Sequence, residues 1–361
     1  MKKMYEESIK KIRKVLKEKN CDALLVFNHV DVLYLSGFYD KENNSAIIIT
    51  EDKLIFMTDG RFINQFHQQV EGFELIEFGS TASKFEDIAK IIKRLNIKSL
   101  MFNYQVLSYQ NTIDLGIDNL EIQDSLSFIT DYRRTKQEEE IENTRKACKI
   151  AEDSLLATIE QIKEGLTELE IQNILNSEMS KRGSIRQAFP TIIASGKVNG
   201  ASPHATPTDR KVEEGDFITI DFGAIYNNYS SDITRTIAIG KVSDEMMAIY
   251  NKVKEIKEKC EDMLKPGQST KNVHMLATKM INDFGYEFMH GLGHGIGLEN
   301  HELPRLAKVC DSKLKINDIH TIEPGIYVPG VCGVRIEDDY LITEDGYECL
   351  TPNITTKLIT I

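Results

Sequence analysis

Four carboxylates in the C-terminal part of this chain stand where acids are uncommon. Asp221 interrupts the apolar run of GDFITIDFGAIYNNYSSDITRTIAIG, and Asp232 follows in the same segment. Period-two alternation puts Ile218, Ile220 and Phe222 on one face of a strand and Thr219 and Asp221 on the other. Aspartate is depleted in strands, so its presence there requires a reason. Folding the segment about the 226–227 step, as two strands joined through YNNY, sets Asp221 nearly opposite Asp232. Taken alone, an aspartate capping a turn is the better reading. A second segment, HTIEPGIYVPGVCGVRIEDDYLIT, repeats the arrangement about Gly330, with Glu323 opposite Glu337. Four carboxylates converging in a core repel one another and carry a large desolvation cost, so they must be protonated, paired with cations or bound to metal. Oxygen-rich sites suit Mn²⁺, Mg²⁺ or Ca²⁺, and an added imidazole tilts the choice toward transition metals.

The imidazoles are at hand in HGLGHGIGLENHELPR, which places His290, His294 and His301 in one glycine-rich loop where backbone can approach closely. A lone histidine is usually structural, whereas three in such a loop favour a site. A dinucleotide fingerprint fails here, because G-x-G-x-x-G would need glycine where Ile296 or Leu298 stands and the loop follows no clear strand. Neither H-E-x-x-H nor G-x-x-x-x-G-K-[ST] occurs, which disfavours a zincin or a nucleotide hydrolase.

The elements that position these residues read as two domains, the number expected of 361 residues. Ile9, Ile12, Val15 and Leu16 repeat at helical spacing, with Asn20 as a stop signal. DALLVFN, SAIIIT and KLIFMTDGRF read as strands, alternating with helical stretches such as Ser83 to Leu95. Residues 1–130 therefore form a small α/β domain. The charge-dense stretch DYRRTKQEEEIENTRKA reads as a solvated linker helix, and the second domain covers 131–361. Within it, Gly165 and Gly183 bracket one expected helix, and Gly267 and Gly285 bracket another with the same separation. Each is followed by hairpin signals, which points to two related α+β halves.

Composition narrows the function classes. A charged fraction of 28% with 41% hydrophobic residues describes a globular chain. The net charge of −12 argues against a nucleic-acid partner. The start MKKMYEESIKKIRK is no secretory signal, and no apolar run reaches the length of a membrane span. Six scattered cysteines fit reduced thiols, so the expected location is the cytoplasm.

The motifs DFG with Asp221, SDITRT with Asp232, GHGIGL with His294, TIEPGIY with Glu323 and VRIEDD with Glu337 resemble, in order and residue type, those of the proline-specific metallopeptidases of the aminopeptidase P and prolidase family. The resemblance spans the whole chain. It implies an α+β fold in which a creatinase-like N-terminal α/β domain precedes a pita-bread catalytic domain of two pseudo-symmetric halves. It implies two divalent ions, Mn²⁺ first and Co²⁺ or Zn²⁺ as alternatives, with Asp232 and Glu337 bridging both, Asp221 on one, and His294 with Glu323 on the other. It also implies hydrolysis of the bond before proline by a metal-bridging hydroxide, with Glu323 as proton shuttle and with His204 (in GASPHATPT) and His301 as hydrogen-bond donors. Arg335 is similar to an arginine that supports the ligand carboxylates, Arg305 to one that binds the free carboxylate of a dipeptide, and His290 belongs beside the site. The N-terminal domain is expected to make homodimer contacts.

Asn228 stands where relatives often carry glycine, but asparagine tolerates the left-handed turn. His320 stands where an apolar or hydroxyl residue is expected, and alternation puts it on the face away from Glu323. Aminopeptidase and dipeptidase remain open alternatives, and the long N-terminal domain disfavours the methionine aminopeptidase branch. The competing classes are a non-catalytic peptide-binding module on the same fold and a metal-free creatinase-like hydrolase; intact ligand positions argue against both.

Overall fold

A computed structural model describes residues 2–79, 83–116 and 120–361, and the chain divides into two compact units, Met1–Arg133 and Arg134–Ile361. The first runs α1 (Lys2–Glu18), β1 (Ala23–Val26), α2 (His29–Ser36), β2 (Ala46–Thr50), β3 (Leu54–Thr58), α3 (Ile63–Gln69), β4 (Glu74–Glu77), α4 (Lys84–Arg94), β5 (Ser99–Phe102), α5 (Tyr109–Leu115), β6 (Glu121–Asp124) and α6 (Leu126–Arg134). Its strands form one mixed sheet in the order β4-β3-β2-β1-β5-β6. Leu25 and Ile48 from the sheet and Ile88 and Ile92 from α4 belong to one buried cluster, each such side chain contributing about 1.5–3 kcal/mol of burial.

The second unit contains two halves. The first comprises α7 (Glu138–Ile159), α8 (Glu168–Lys181), β7 (Ile192–Ser195), β8 (Phe217–Phe222), the short hairpin β9 (Ile225–Tyr226) and β10 (Tyr229–Ser230), and β11 (Ile233–Ala238). The second comprises α9 (Asp244–Glu261), α10 (Thr270–Asp283), β12 (Gly293–Gly295), β13 (Glu302–Leu306), β14 (Ile319–Ile322), β15 (Gly325–Val328), β16 (Cys332–Arg335), β17 (Asp338–Ile342) and β18 (Tyr347–Cys349). Helix α8 starts on a capping box, Thr167 Oγ1 accepting from Glu170 N at 3.1 Å and Glu170 Oε2 from Thr167 N at 2.7 Å. Helix α10 starts on Ser269, and both helices are followed by glycines in the left-handed region, Gly183 and Gly285, each at φ 95°. Ile171 and Leu175 of α8 pack under Ile218, Ile220 and Phe222 of β8, and Val273 and Ala277 of α10 pack with Ile322 and Val334 in the second half.

The sheets are β11-β8-β7 in one half and β13-β12-β14-β17-β18 in the other. They meet where Thr234 pairs with Glu337 in an isolated antiparallel bridge. Arg235, 1% exposed, closes this seam: Nη1 donates to the carbonyls of Thr234 and Glu337 at 3.0 and 2.6 Å, and Nη2 to Asp338 Oδ1 at 2.7 Å. Its remaining donors reach the carbonyls of Ile354 and Thr355, and Ala238 bridges Thr360 in parallel, so residues 359–361 extend the first half's sheet beyond β11.

Two expectations are corrected. The stretch from Tyr132 is no solvated linker helix: α6 ends at Arg134, α7 begins at Glu138, and Arg133, Arg134, Lys136 and Glu140 between and beside them are buried. Burial is possible because the charges are paired, Arg134 gripping both oxygens of Asp318 at 2.8 and 2.6 Å and Lys136 reaching Glu302 at 2.8 Å. The first hairpin is centred on Asn227–Asn228, not on 226–227. Tyr226 pairs with Tyr229 and Asp221 with Thr234, so Asp232 lies two places from the position opposite Asp221. Both asparagines are left-handed, at φ 45° and 70°, as a two-residue hairpin turn requires.

Candidate active site and metal centre

Each of the four acids stands at or near a strand end, Asp221 still paired within its sheet and the other three just outside their strands. Asp221 is the penultimate residue of β8, and Asp232 precedes β11. Glu323 follows β14, and Glu337 lies between β16 and β17. His294 was expected in a loop and instead sits in the middle of β12; the glycines around it disguise a strand. Gly293 and Gly295 are required there, since a Cβ on either would collide with the carbonyls of Thr321 and Leu303 across the sheet.

Among the described residues, ligand atoms of Asp232, His294 and Glu337 all lie within 4.8 Å of one another, a grouping that could hold a metal ion. His294 Nε2 is 3.6 Å from Asp232 Oδ2 and 3.5 Å from Glu323 Oε1. Its Nδ1–H is turned to the carbonyl of Gly295 at 3.2 Å, which leaves the Nε2 lone pair facing the acids, the tautomer a metal ligand needs. Burial, reinforced by His301, pushes His294 down to about 3, so the ring is neutral.

The acids are driven the other way. Burial and the Glu337 charge push Asp232 and Glu323 well above the ordinary carboxylate range, and burial with the Asp221 charge lifts Glu337 to about 8. Asp221 is tied through Oδ2 to the Arg335 guanidinium, while its Oδ1 is buried without a hydrogen-bond partner. An orphaned carboxylate oxygen, three acids forced toward protonation and a neutral imidazole aimed at them form a donor set that fits divalent cations, whose charge would replace the missing protons.

Around this centre, Arg335 Nε donates to Thr234 Oγ1 at 3.1 Å, and Thr234 donates to Glu337 Oε2 at 2.6 Å. Arg335 Nη1 donates to Tyr327 at 2.6 Å, and the Tyr327 hydroxyl meets His290 Nε2 at 3.1 Å. His290 is lowered to about 4, mainly by burial, and approaches Glu323 at 4.0 Å. Asp339 accepts from the backbone N–H of Asp232 at 2.9 Å. Sequence reasoning passed over Thr234, Tyr327 and Asp339; Thr234 stands inside SDITRT, and the run of acids in VRIEDD was the available signal for Asp339.

The centre lies in a cavity of about 750 Å³. His204, His301 and Arg305 line it with the four acids, His290 and His294. The His301 ring lies 4.1 Å from that of His294. Arg305 is the strand partner of His294 on β13 and is exposed. The apolar wall includes Phe189, Ile192 and Ala205. His320 is fully buried beside Tyr340 and does not line the cavity.

Residues 142–344 match metallopeptidase family M24, and residues 8–134 match the creatinase/prolidase N-terminal domain. The chain is 34% identical over 356 residues to an Xaa-Pro dipeptidase of Pyrococcus furiosus, covering 96% of this chain and 98% of that one. Among solved structures it is similar to an Xaa-Pro dipeptidase from Bacillus anthracis (34% identity, TM-score 0.92, 99% and 100% of the two chains covered). It is also similar to an X-Pro aminopeptidase from Thermotoga maritima (35% identity, TM-score 0.85, 95% and 98% covered). With the creatinase-type unit preceding a two-halved catalytic unit that gathers acids and a histidine in one cavity, the chain belongs to metallopeptidase family M24.

Proposed function

We propose that this metallo-exopeptidase hydrolyses the bond between an N-terminal residue and proline, and that dipeptides are its main substrates. The observation that carries the reading is the convergence of Asp232, His294 and Glu337 beside Glu323, in a chain similar along its length to Xaa-Pro dipeptidases. Asp221, Asp232, His294, Glu323 and Glu337 would together hold two divalent ions, Asp232 and Glu337 being the acids placed to be shared between them, and Mn²⁺ would suit this oxygen-rich set with one imidazole. When bound, the ions polarise the scissile carbonyl and acidify the attacking water.

The side chains do the rest. Glu323 takes a proton from the water at Oε2, the oxygen nearest His290, and passes it to the departing proline nitrogen. The raised affinity of this buried carboxyl for a proton suits that task. His204 and His301 donate hydrogen bonds to the carbonyl oxygen as charge develops on it. Arg335, locked between Asp221, Thr234 and Tyr327, fixes the acids and takes no part in proton transfer. Arg305 at the cavity surface offers a guanidinium to the free carboxylate of a dipeptide. Homodimerisation through the N-terminal unit is supported by exposed Tyr109 and Ile113, and a reducing cytoplasmic setting by six free cysteines.

The test is hydrolysis of Ala-Pro, Ala-Pro-Ala and Ala-Ala-Ala by Mn²⁺-loaded protein, read by mass spectrometry against a chelated control. Cleavage of Ala-Pro, lost on chelation, is expected. Preferential cleavage of Ala-Pro-Ala would favour the aminopeptidase reading that the Thermotoga relative supports, and no cleavage with two metals bound would remove the proposal.

A further inference from the structure

We propose that Glu168 is a positioning residue for His204, closing the base of the loop that carries it; the inference rests on the reading of His204 as a donor to the substrate. Glu168 is the first residue of α8 and is 0% exposed. Thr167 and Glu170 already complete the capping box, so the helix does not need a second carboxylate to start. What Glu168 does instead is accept five hydrogen bonds. On Oε1 it takes Ser195 N and Ser195 Oγ, both at 2.7 Å. On Oε2 it takes Asn199 Nδ2 at 2.6 Å, Thr208 N at 2.9 Å and Thr208 Oγ1 at 2.7 Å.

Ser195 ends β7 and Thr208 lies beyond His204, so one carboxylate holds both stems of the loop between them. Asn199 extends the grip by donating also to the Thr206 carbonyl at 3.2 Å. Among the described residues no ion pair reaches Glu168; the cation nearby, Arg210, spends its Nη1 on Ser195 Oγ at 2.8 Å and on Asp216 at 2.7 Å. A buried carboxylate without a counter-ion persists because donors surround it, and it is the one ordinary side chain that can meet five donors while offering none of its own.

The far side of the loop is backed by the β15–β16 hairpin. Gly330 N donates to the Lys197 carbonyl at 3.1 Å, and a Cβ on Gly333 would collide with the Gly200 carbonyl. A loop clamped at its base and backed along its length presents His204 to the cavity from a fixed backbone. Misplacement by about 1 Å is enough to cost on the order of 100-fold in rate.

The experiment is a double-mutant cycle on the Mn²⁺-loaded full chain with Ala-Pro. Glu168→Gln is made alone and in a His204→Ala background, with metal content and melting temperature measured throughout. Glu168→Gln is expected to lower kcat about tenfold or more, with KM changed less than about twofold and metal content retained, and to lower it less than about twofold once His204 is gone. Equal losses in both backgrounds, or an unchanged kcat, would overturn the proposal alone. Full activity of His204→Ala would remove the role given to His204, and the proposal with it. Should Glu168→Gln fail to fold, Asn199→Ala removes one of the five donors and carries the same cycle, with a smaller loss that must again vanish without His204.

Discussion

The two halves of the catalytic unit close the loop behind their second helix with the same backbone ladder and different side chains. Gly165 N reaches the Val212 carbonyl at 2.9 Å and Gly267 N the Leu314 carbonyl at 2.8 Å. Thr167 bridges Lys211, and Ser269 bridges Lys313. At the next position the halves part. Glu168 gathers five donors, whereas Thr270 Oγ1 accepts from Ser312 N at 3.1 Å, donates to the Cys310 carbonyl at 3.3 Å and meets the Ser312 hydroxyl at 3.5 Å. The second half needs no more, because its loop is zipped into the sheet as β13 against β12. In the first half the corresponding chain has no strand, and a buried acid does the work of one.

The acids differ in the same spirit. Asp221 is locked to Arg335, which comes from the second half's strand β16. Among the described residues, Glu323, its counterpart just after β14, has only the imidazoles of His290 and His294 within ion-pair distance, at 4.0 and 3.5 Å, and both rings are neutral. Burial and the Glu337 charge together raise the affinity of Glu323 for a proton. The placement of one arginine thus distinguishes two pseudo-equivalent positions, and it underlies the different roles proposed for them.

The largest effect should come from removing either acid proposed to be shared between the two metals. Asp232→Ala from the first half and Glu337→Ala from the second should each abolish turnover, a loss of about 1,000-fold or more, and release at least one metal per chain by atomic absorption. Unequal metal loss would show that the halves do not share the ions evenly. Next, His204→Ala and His301→Ala should keep the metals and each lower kcat by roughly 100- to 1,000-fold. A full effect in only one of them would confine the donor role to one half. Arg305→Ala should raise KM for Ala-Pro about ten- to a hundredfold, the value of a charge-assisted contact, and change Ala-Pro-Ala by less than about twofold. The smallest effect belongs to Thr270→Val, expected to lower unfolding free energy by about 1 kcal/mol in urea titration while kcat changes less than about twofold.

Much of this was legible in the residues. Alternation placed Ile218, Ile220 and Phe222 on the packed face of β8, and the second hairpin is symmetric about Gly330, with Gly325 paired to Arg335 and Val328 to Cys332. The first hairpin was misplaced by one residue because two adjacent asparagines can each take the left-handed conformation, and the sequence does not say which pair forms the turn. Charge density misled at Arg134 and Lys136, since partners as distant as Asp318 and Glu302 decide whether a cation is solvated or buried. Glu168 was illegible for a related reason. In TELE the residue that caps is Glu170, and nothing local marks its neighbour as the hub of a loop that begins near Ser195.

The seam at Arg235 also bears on how the protein is made. Its guanidinium depends on the carbonyls of Ile354 and Thr355, and the outer edge of β11 on residues 359–361. During synthesis the first half's strands leave the ribosome long before those partners exist. Until they arrive, a nascent chain carries an uncompensated arginine at its future centre and an open strand edge, a form prone to pair with other chains. Ribosomes that stall before residue 350 should therefore yield products that aggregate or are degraded, and peptide-cleaving capacity would appear only once the final strand partner has been translated.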